Sequence, residues 1–539
     1  MPVSTVPLPS RIALLVHSHF DALPARNKPN VFDDGSREWI PLTGIVAVKG
    51  ENTPLESLTC LAITSGAKCL SASQIPGCQG LVLHDCHAEI LAIRAFNYWL
   101  LTECRGMFDS QISNSESKSS ITESPFIRRR DMKDQVEKSA IDWPPFEIQP
   151  DVKFYMYCTC APCGDGSMEL CMDSQEDATP WEVRREVHIN SDIQQDDTLA
   201  EGDMLDGRAH FSLLGVVRRK PARMDAESTR SKSCSDKLAL RQVSSLLSCQ
   251  TSRFIAPTSN AYFAGLVLPE DEISHVACER AFGENGRMRD LKGRSWPGQI
   301  SSEKTQSQTG YQFRPFNILS VAAEEIALLW KFAKPKTGTP QNANLIEESS
   351  DSTSQTVLPK KRRPGNVSTV WAAASSYPHV SLLLPGSTQL PTLFRSKTGL
   401  YETIINGVKQ GNKAFSGGQR GASSLSRARL WNFLRETVDS EGYKKYLKDT
   451  QVQNQLVESV PAQELHGFLA KQQISKANSY AELKQAGTDW ADPLQVREEV
   501  LRDAKKVLKG WVPNTGDEGW DLTVLNSTTS SSKKRKIGL

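Results

Sequence analysis

The chain has 539 residues, 38% hydrophobic and 23% charged, with a formal net charge of only +2. That length allows a substantial core and two to four domains, although large insertions inflate a single domain in the same way. Near-neutrality confines any nucleic-acid surface to local patches. No run of about eighteen apolar residues reaches membrane-spanning length, and no basic segment followed by a long apolar stretch marks a secretory leader. Without such a leader, the twelve cysteines read as thiols in a reducing intracellular compartment, nucleus or cytoplasm. Metal ligation is favoured there over a disulfide framework.

Arg11 to Leu23 has apolar residues at helical spacing: Ile12, Leu15, Val16, Phe20 and Leu23. Thr43 to Val48 and Leu58 to Thr64 are β-branched and flanked by turns, which predicts two strands joined through Gly50 to Pro54. Residues 65–80 read as a loop, Leu81 to Leu83 as a short strand and Ile90 to Leu101 as a helix. Over 108–145, Ser, Glu, Lys and Arg displace apolar residues, the composition of a disordered insertion. Val152 to Tyr157 has a buried-strand pattern and runs into Cys158-Thr159-Cys160-Ala161-Pro162-Cys163-Gly164. Residues 173–207 are acidic and polar, a second excursion, and Arg218, Arg219, Lys220 and Arg223 read as a basic loop with Arg230 and Lys232. Cys234 to Leu247 reads as a helix opened near Ser233, Tyr262 to Leu268 as a strand and Pro269 to Phe282 as a helix. Ile318 to Phe332 has helical spacing. A polar linker is expected at 335–366, strands at Val367 to Ala373 and Leu400 to Ile405, helices at Leu425 to Leu434 and Ser479 to Leu508, and a disordered basic tail at 525–539.

The chemistry concentrates around His87-Ala88-Glu89. A His two residues before a Glu is the pair with which zinc-dependent deaminases hold the metal and move protons. On a regular helix two such residues diverge by about 200°, so both face one metal only at a helix entrance. A catalytic zinc usually takes three protein ligands. Pro162-Cys163 resembles the start of a Pro-Cys-x-x-Cys turn, but Gly166 stands where the second Cys would be. Cys234, in Ser233-Cys234-Ser235-Asp236-Lys237, is the best third ligand, because a helix N-terminus favours a thiolate. Cys158 and Cys160 leave a separate metal site open, although their alternation with Thr159 on a strand end favours core thiols.

Five blocks carry a resemblance: Ser65-Gly66-Ala67-Lys68-Cys69-Leu70, Leu83 to Ile90, Ala161 to Asp165, Arg219-Lys220-Pro221-Ala222-Arg223 and Ser233 to Ala239. In order and spacing they are similar to the adenosine deaminase domain of the adenosine-to-inosine RNA deaminase family. The similarity runs from about residue 40 to 520, with insertions, and is specific around the three metal blocks. It implies an α/β fold with a cytidine-deaminase-like three-layer core, a mixed sheet flanked by helices, and an added, mostly helical C-terminal half within one domain over 1–520. It also implies His87, Cys163 and Cys234 on zinc, and a zinc-activated hydroxide attacking adenosine C6 with Glu89 as proton shuttle. A buried inositol hexakisphosphate is implied as a second cofactor, with Arg94, Lys237, Arg427, Tyr480, Lys484 and Trp511 at matching positions. This sequence departs from the family by carrying Leu240-Arg241 after Ala239, His84 where Asn is common and Ile93 where some members have Arg.

The forty or so residues before the first core strand are too few for a double-stranded-RNA-binding domain. The expected substrate is therefore a tRNA, whose anticodon loop offers unpaired bases that are cheap to splay out. Resemblance to the tRNA-specific branch implies the adenosine at position 37 of alanine tRNA. Lys68, Arg218, Arg219, Lys220 and Arg223 are candidate phosphate contacts. Lys360 to Arg363 and Lys533 to Lys536 read as import signals or solvated runs. Three alternatives remain: a deaminase of double-stranded or messenger RNA, one of free nucleosides or cytosine, and a non-catalytic zinc-containing RNA-binding protein.

Overall fold

The computed structural model describes residues 6–33, 36–113, 124–130, 144–173, 205–207, 213–220, 227–296, 310–334, 363–376, 399–415, 419–455, 470–485 and 493–526. Its middle layer is an eight-stranded mixed sheet. The strands are β1 (Leu42–Lys49), β2 (Ser57–Ser65), β3 (Val152–Cys158), β4 (Phe263–Pro269), β5 (Asn317–Val321), β6 (Ser368–Ala372), β7 (Leu400–Ile405) and β8 (Val408–Lys409), in the order β5-β4-β3-β1-β2-β6-β7-β8. β4 runs parallel to β3 and β5, and every other neighbouring pair is antiparallel.

β1 is buried on both faces. Ile45 and Ala47 join one apolar cluster and Val46 and Val48 the other, as the two-residue period of a strand dictates. On the second face lie α1 (Leu8–Asp21) and α6 (Ala323–Leu329), through Ile12, Val16, Phe20 and Ile326. On the first lies α2 (Ala88–Ser113), whose Leu91, Phe96, Trp99, Leu100 and Phe108 are all within 1% of full burial. Burying each of these side chains contributes about 1.5–3 kcal/mol. A helix apolar on most of its circumference belongs inside a domain. It is covered by α4 (Cys234–Ser244), α7 (Arg427–Val438) and α8 (Glu441–Gln455). The short α3 (Met168–Asp173), α5 (His275–Phe282), α9 (Tyr480–Lys484) and α10 (Pro493–Val507) complete the set used below. Among the described residues beyond Arg427 the regular elements are helices, with a loop over 511–521, but the C-terminal half also supplies β5, β6, β7 and β8 of the sheet. None of the described helices is long and apolar enough to cross a membrane.

Several expectations change. Leu81 to Leu83 is not a strand; its side chains are buried in two apolar clusters, and the extended segment is Asp85–His87, paired antiparallel with Ala67–Cys69 inside the stretch read as loop. Ile318 to Phe332 splits into β5 and α6, because a parallel partner in β4 captures its first residues. Within 108–145, α2 continues to Ser113, and Ile127–Arg129 pairs with Phe146–Ile148 while Phe126 and Ile127 are buried. Residues 124–130 are therefore structured; 114–123 and 131–143 lie outside the described residues, as do most of 173–207 and 335–366 and all of 527–539. Of the linker, Arg363–Pro364 pairs with Glu38–Trp39.

Candidate active site

Asp85–His87 ends in an extended conformation and α2 begins at the next residue, Ala88. This junction solves the geometric problem of His-x-Glu: His87 projects from a strand, Glu89 from the first helical turn. Ala88 N donates to Gly66 O (2.9 Å) and Thr64 Oγ1 donates to Ala88 O (2.6 Å), which pins the junction to the end of β2.

Two further turns bring sulfur to His87. Cys163 lies just beyond β3, before a tight turn at Gly164 with φ 102°. A Cβ on Gly164 would lie 2.2 Å from Ser233 Oγ, so that glycine lets the two cysteine turns close on each other. Cys234 opens α4, and Ser233 caps that helix by accepting from Asp236 N. Ser235 N donates to Cys163 O (3.0 Å), Gly166 N donates to Ser235 Oγ (3.0 Å), and Ser235 Oγ donates to Pro162 O (3.0 Å). The result is one imidazole and two sulfurs: His87 Nδ1 is 3.8 Å from Cys163 Sγ and 3.6 Å from Cys234 Sγ, and all three donor atoms lie within 4.8 Å of one another. Cys234 N also donates to Cys163 Sγ (3.3 Å). The hydrogen bond from Cys234 holds Cys163 well below the usual thiol range against the opposing effect of burial, and Lys220 adds to the shift. Glu89 is 5% exposed, and burial raises its carboxyl against the attraction of His87.

Beneath the sulfurs runs a buried polar chain. Lys220 Nζ donates to Cys234 Sγ (3.3 Å) and to both oxygens of Asp85 (3.1 and 3.0 Å). Asp85 also accepts from Ser231 Oγ (2.7 Å), Cys69 Sγ (3.2 Å), Lys237 Nζ and the amide of His87 (3.0 Å). Burial works against ionisation of Asp85, but Lys220 and Lys237 overcome it and hold the carboxyl well below its usual range. Sequence reasoning missed Asp85 and Ser231, although Asp85 stands only two residues before His87.

This chain corrects two RNA-contact expectations. Lys220 is 4% exposed and Arg218 is 1% exposed, its guanidinium turned onto Leu213 O (2.5 Å) and its amide onto Asp236 (3.0 Å). Neither faces solvent, because each neutralises or caps a buried group. Lys68 is exposed on the short strand opposite Cys86, and Arg219 is half-buried in an ion pair with Asp206 (2.7 Å). Arg223 lies outside the described residues.

The residues matched to a polyanion fall mostly together. Arg94, on the second turn of α2, donates from Nε to Leu425 O (3.1 Å). Arg427 and Lys484 lie 5.7 and 5.3 Å over the Tyr480 ring, and that ring stacks on Trp520 with centroids 4.7 Å apart. Arg241, Arg497 and Lys505 join them without having been expected. Burial first, then Arg497 and Arg94 among its neighbours, hold Arg241 down to about 9. Burial lowers Lys505, as do Arg497 and Lys484. Lys237 instead turns to Asp85 and Ser231 Oγ (2.6 Å). Trp511 packs under Lys232 (5.5 Å) at the side of an open groove of about 1440 Å³.

The adenosine-deaminase (editase) domain model matches residues 62–339, just over half of the chain. The chain is 36% identical over 309 residues to tRNA-specific adenosine deaminase 1 of Schizosaccharomyces pombe, covering 57% of this chain and 66% of that protein. It is 32% identical over 271 residues to the protein of the same name from Saccharomyces cerevisiae, covering 50% and 60%. Over 152 residues it is 29% identical to the rat double-stranded RNA-specific editase B2, covering 28% and 16%. The match thus spans less than two thirds of each of these relatives. The His87–Glu89 junction, its two cysteine turns and strands β3, β4 and β5 lie in the matched segment, and the chain belongs to the adenosine-deaminase (editase) domain family.

Proposed function

We propose that this chain is a zinc-dependent deaminase that hydrolyses adenosine to inosine in tRNA, at position 37 beside the anticodon of alanine tRNA. The observation that carries the reading is the convergence of His87 Nδ1 and two sulfurs within 4.8 Å, beside a buried carboxylate at the entrance of α2. One nitrogen and two sulfurs suit zinc, and three protein donors leave the open position of a catalytic site, whereas a structural site uses four. His87, Cys163 and Cys234 would hold the zinc, which when bound would make a water acidic enough to attack near neutral pH. Glu89, its carboxyl raised by burial, takes a proton from the attacking water and delivers it to purine N1; it then takes the proton of the new C6 hydroxyl and hands it to the C6 amino group, which leaves as ammonia. The base must leave its stack to reach Glu89, and an anticodon loop makes that cheap. The names of the two yeast relatives support tRNA over duplex RNA. An intracellular location, nucleus or cytoplasm, belongs to the same reading.

The reading includes inositol hexakisphosphate. Its support is the group formed by Arg94, Arg241, Arg427, Arg497, Lys484 and Lys505, of which Arg497 is 7% exposed and keeps a buried Nε with no hydrogen-bond partner among the described residues. Like charges gathered this way require a polyanion to offset them.

The test is inosine formation on an alanine-tRNA transcript, with the site located by sequencing, beside a long RNA duplex. Glu89→Ala is expected to abolish turnover and keep its zinc. Near-normal inosine formation by that variant overturns the mechanism, and editing of the duplex alone overturns the tRNA assignment.

A further inference from the structure

Each cysteine of the metal site is followed, two residues on, by a buried aspartate: Cys163-Gly164-Asp165 and Cys234-Ser235-Asp236. Asp165 is 1% exposed and Asp236 is fully buried. Two carboxylates placed beside two thiolates would repel them and would be costly to bury unpaired. Both are met by arginines from one short stretch, the end of α5 and the turn after it. Arg280 donates from Nε to Asp165 Oδ1 (2.9 Å) and from Nη2 to Asp165 O (2.9 Å). Arg287 donates from Nη1 to Asp236 Oδ1 (2.6 Å), and its Nε lies 3.9 Å from Asp165 Oδ2. Arg287 is therefore placed between the two cysteine turns, and its side chain is 4% exposed. The turn that presents it is tight: Arg287 N donates to Arg280 O (2.8 Å), and a Cβ on Gly286 would come within 2.3 Å of Glu279 O.

The carboxylates also reach the rest of the site. Asp236 Oδ2 accepts from Ser233 Oγ (2.6 Å) and from Arg218 N (3.0 Å), and Asp165 Oδ1 accepts from Gly215 N (2.8 Å). Arg218 leads into Lys220, which contacts Cys234 Sγ. One guanidinium thus sits between both turns, hydrogen-bonded to Asp236 and at ion-pair distance from Asp165, and adds to the direct bonds that join two cysteines 71 residues apart.

We infer that Arg280 and Arg287 are positioning residues that lock the two cysteine turns at zinc-binding distance through Asp165 and Asp236. The inference rests on the metal reading above but predicts a separate quantity, the rate at which zinc is lost. Partners that orient metal ligands typically contribute about 10- to 100-fold in metal affinity. Lysine at 287 keeps the charge and cannot span both carboxylates, because it offers one ammonium where arginine offers a planar fork.

The experiment measures zinc per chain in the purified full-length protein, then zinc release to a chromogenic chelator, with melting of each variant followed by circular dichroism. Arg287→Lys is expected to keep its fold and release zinc about 10- to 100-fold faster, with a lower kcat and an unchanged KM for RNA. If removal of one charge prevents folding, Arg287→Met combined with Asp236→Asn removes the unpaired charge and is expected to fold and show the same fast release. Arg294→Met, which breaks an ion pair with Asp503 (2.8 Å) on the surface, is expected to match the parent. Release from both Arg287 variants at the parental rate overturns the lock alone. A parental protein that binds no zinc overturns the lock and the metal reading together.

Discussion

Lys220→Met separates two roles for a basic residue. Lys220 and Asp85 are 4% and 7% exposed, and the ammonium lies 3.0 and 3.1 Å from the two carboxylate oxygens. Removing one partner of a buried pair costs about 3–5 kcal/mol because the other charge stays behind unpaired. Here Lys237 and Ser231 still hold Asp85, which places the expected loss near the lower end, about 3 kcal/mol. Denaturant unfolding measures it. The variant is also expected to lose zinc, because Lys220 Nζ contacts Cys234 Sγ at 3.3 Å. Adding Asp85→Asn should return part of the stability, since neither charge is then left alone. A contact to RNA makes the contrary prediction: normal stability and zinc content, weaker tRNA binding, and a salt dependence flattened by roughly one counterion. That result would refute the assignment of Lys220 to the interior.

His17 is buried against Tyr157 Oη (2.8 Å), and burial lowers it from 6.5 to about 4. The folded state therefore favours the neutral ring: its contribution is complete above pH 6.5 and is lost as pH falls towards 4, by about 3 kcal/mol in all. His17→Gln, followed by melting from pH 4 to 8, should flatten that limb. Charge reversal at Lys68 and Arg219 together should raise KM for tRNA and reduce its salt dependence; kinetics unchanged at several salt concentrations would move the phosphate contacts elsewhere. Acid denaturation of the purified protein should release a phosphorus-rich ligand, with less from Arg241→Met/Arg497→Met; a parental protein that is active and ligand-free would remove the polyanion.

What the sequence made legible is local. β-Branched runs bounded by turns located the central strands, and Pro-Cys-Gly and Ser-Cys-Ser-Asp identified the two cysteine turns because each carries its own capping or glycine chemistry. The His-x-Glu junction was readable as a helix entrance, but its strand was placed at Leu81 to Leu83 and not at Asp85–His87. Hydrophobicity marked the first segment, whereas pairing with Ala67–Cys69 decided the second. Lys220 and Arg218 looked like surface cations because the carboxylate that explains Lys220 lies 135 residues away. Arg241 looked like a departure from the family pattern, yet it enters the same cation group as Arg94 and Arg497. Charge along a sequence says nothing about which charges fold inward. Only the partner does.

The same limit applies to the residues that contact the approach to the proposed metal site from far beyond the segment matched at 62–339. Asp517 accepts from Gly80 N (3.1 Å), pairs with His84 Nε2 (2.8 Å) and takes a further contact from Arg427 (3.2 Å). Trp520 closes over Gly80, where φ is 67° and a Cβ would lie 2.1 Å from the indole. Trp520 O accepts from Tyr480 N (2.9 Å), and its ring stacks on Tyr480, beside Arg427 and Lys484. Residues 80–84 lead directly into Asp85–His87, so the C-terminal segment clamps the approach to the motif while it assembles part of the cation group. A chain cut after residue 339 would keep every proposed zinc ligand and Glu89. It would lose the clamp on Gly80 and His84, and with it Arg427, Tyr480, Lys484 and Trp520. The C-terminal helical segment is thus tied to the approach to His87 through Asp517 and Trp520, in addition to the pairing that holds Asp85–His87 against Ala67–Cys69.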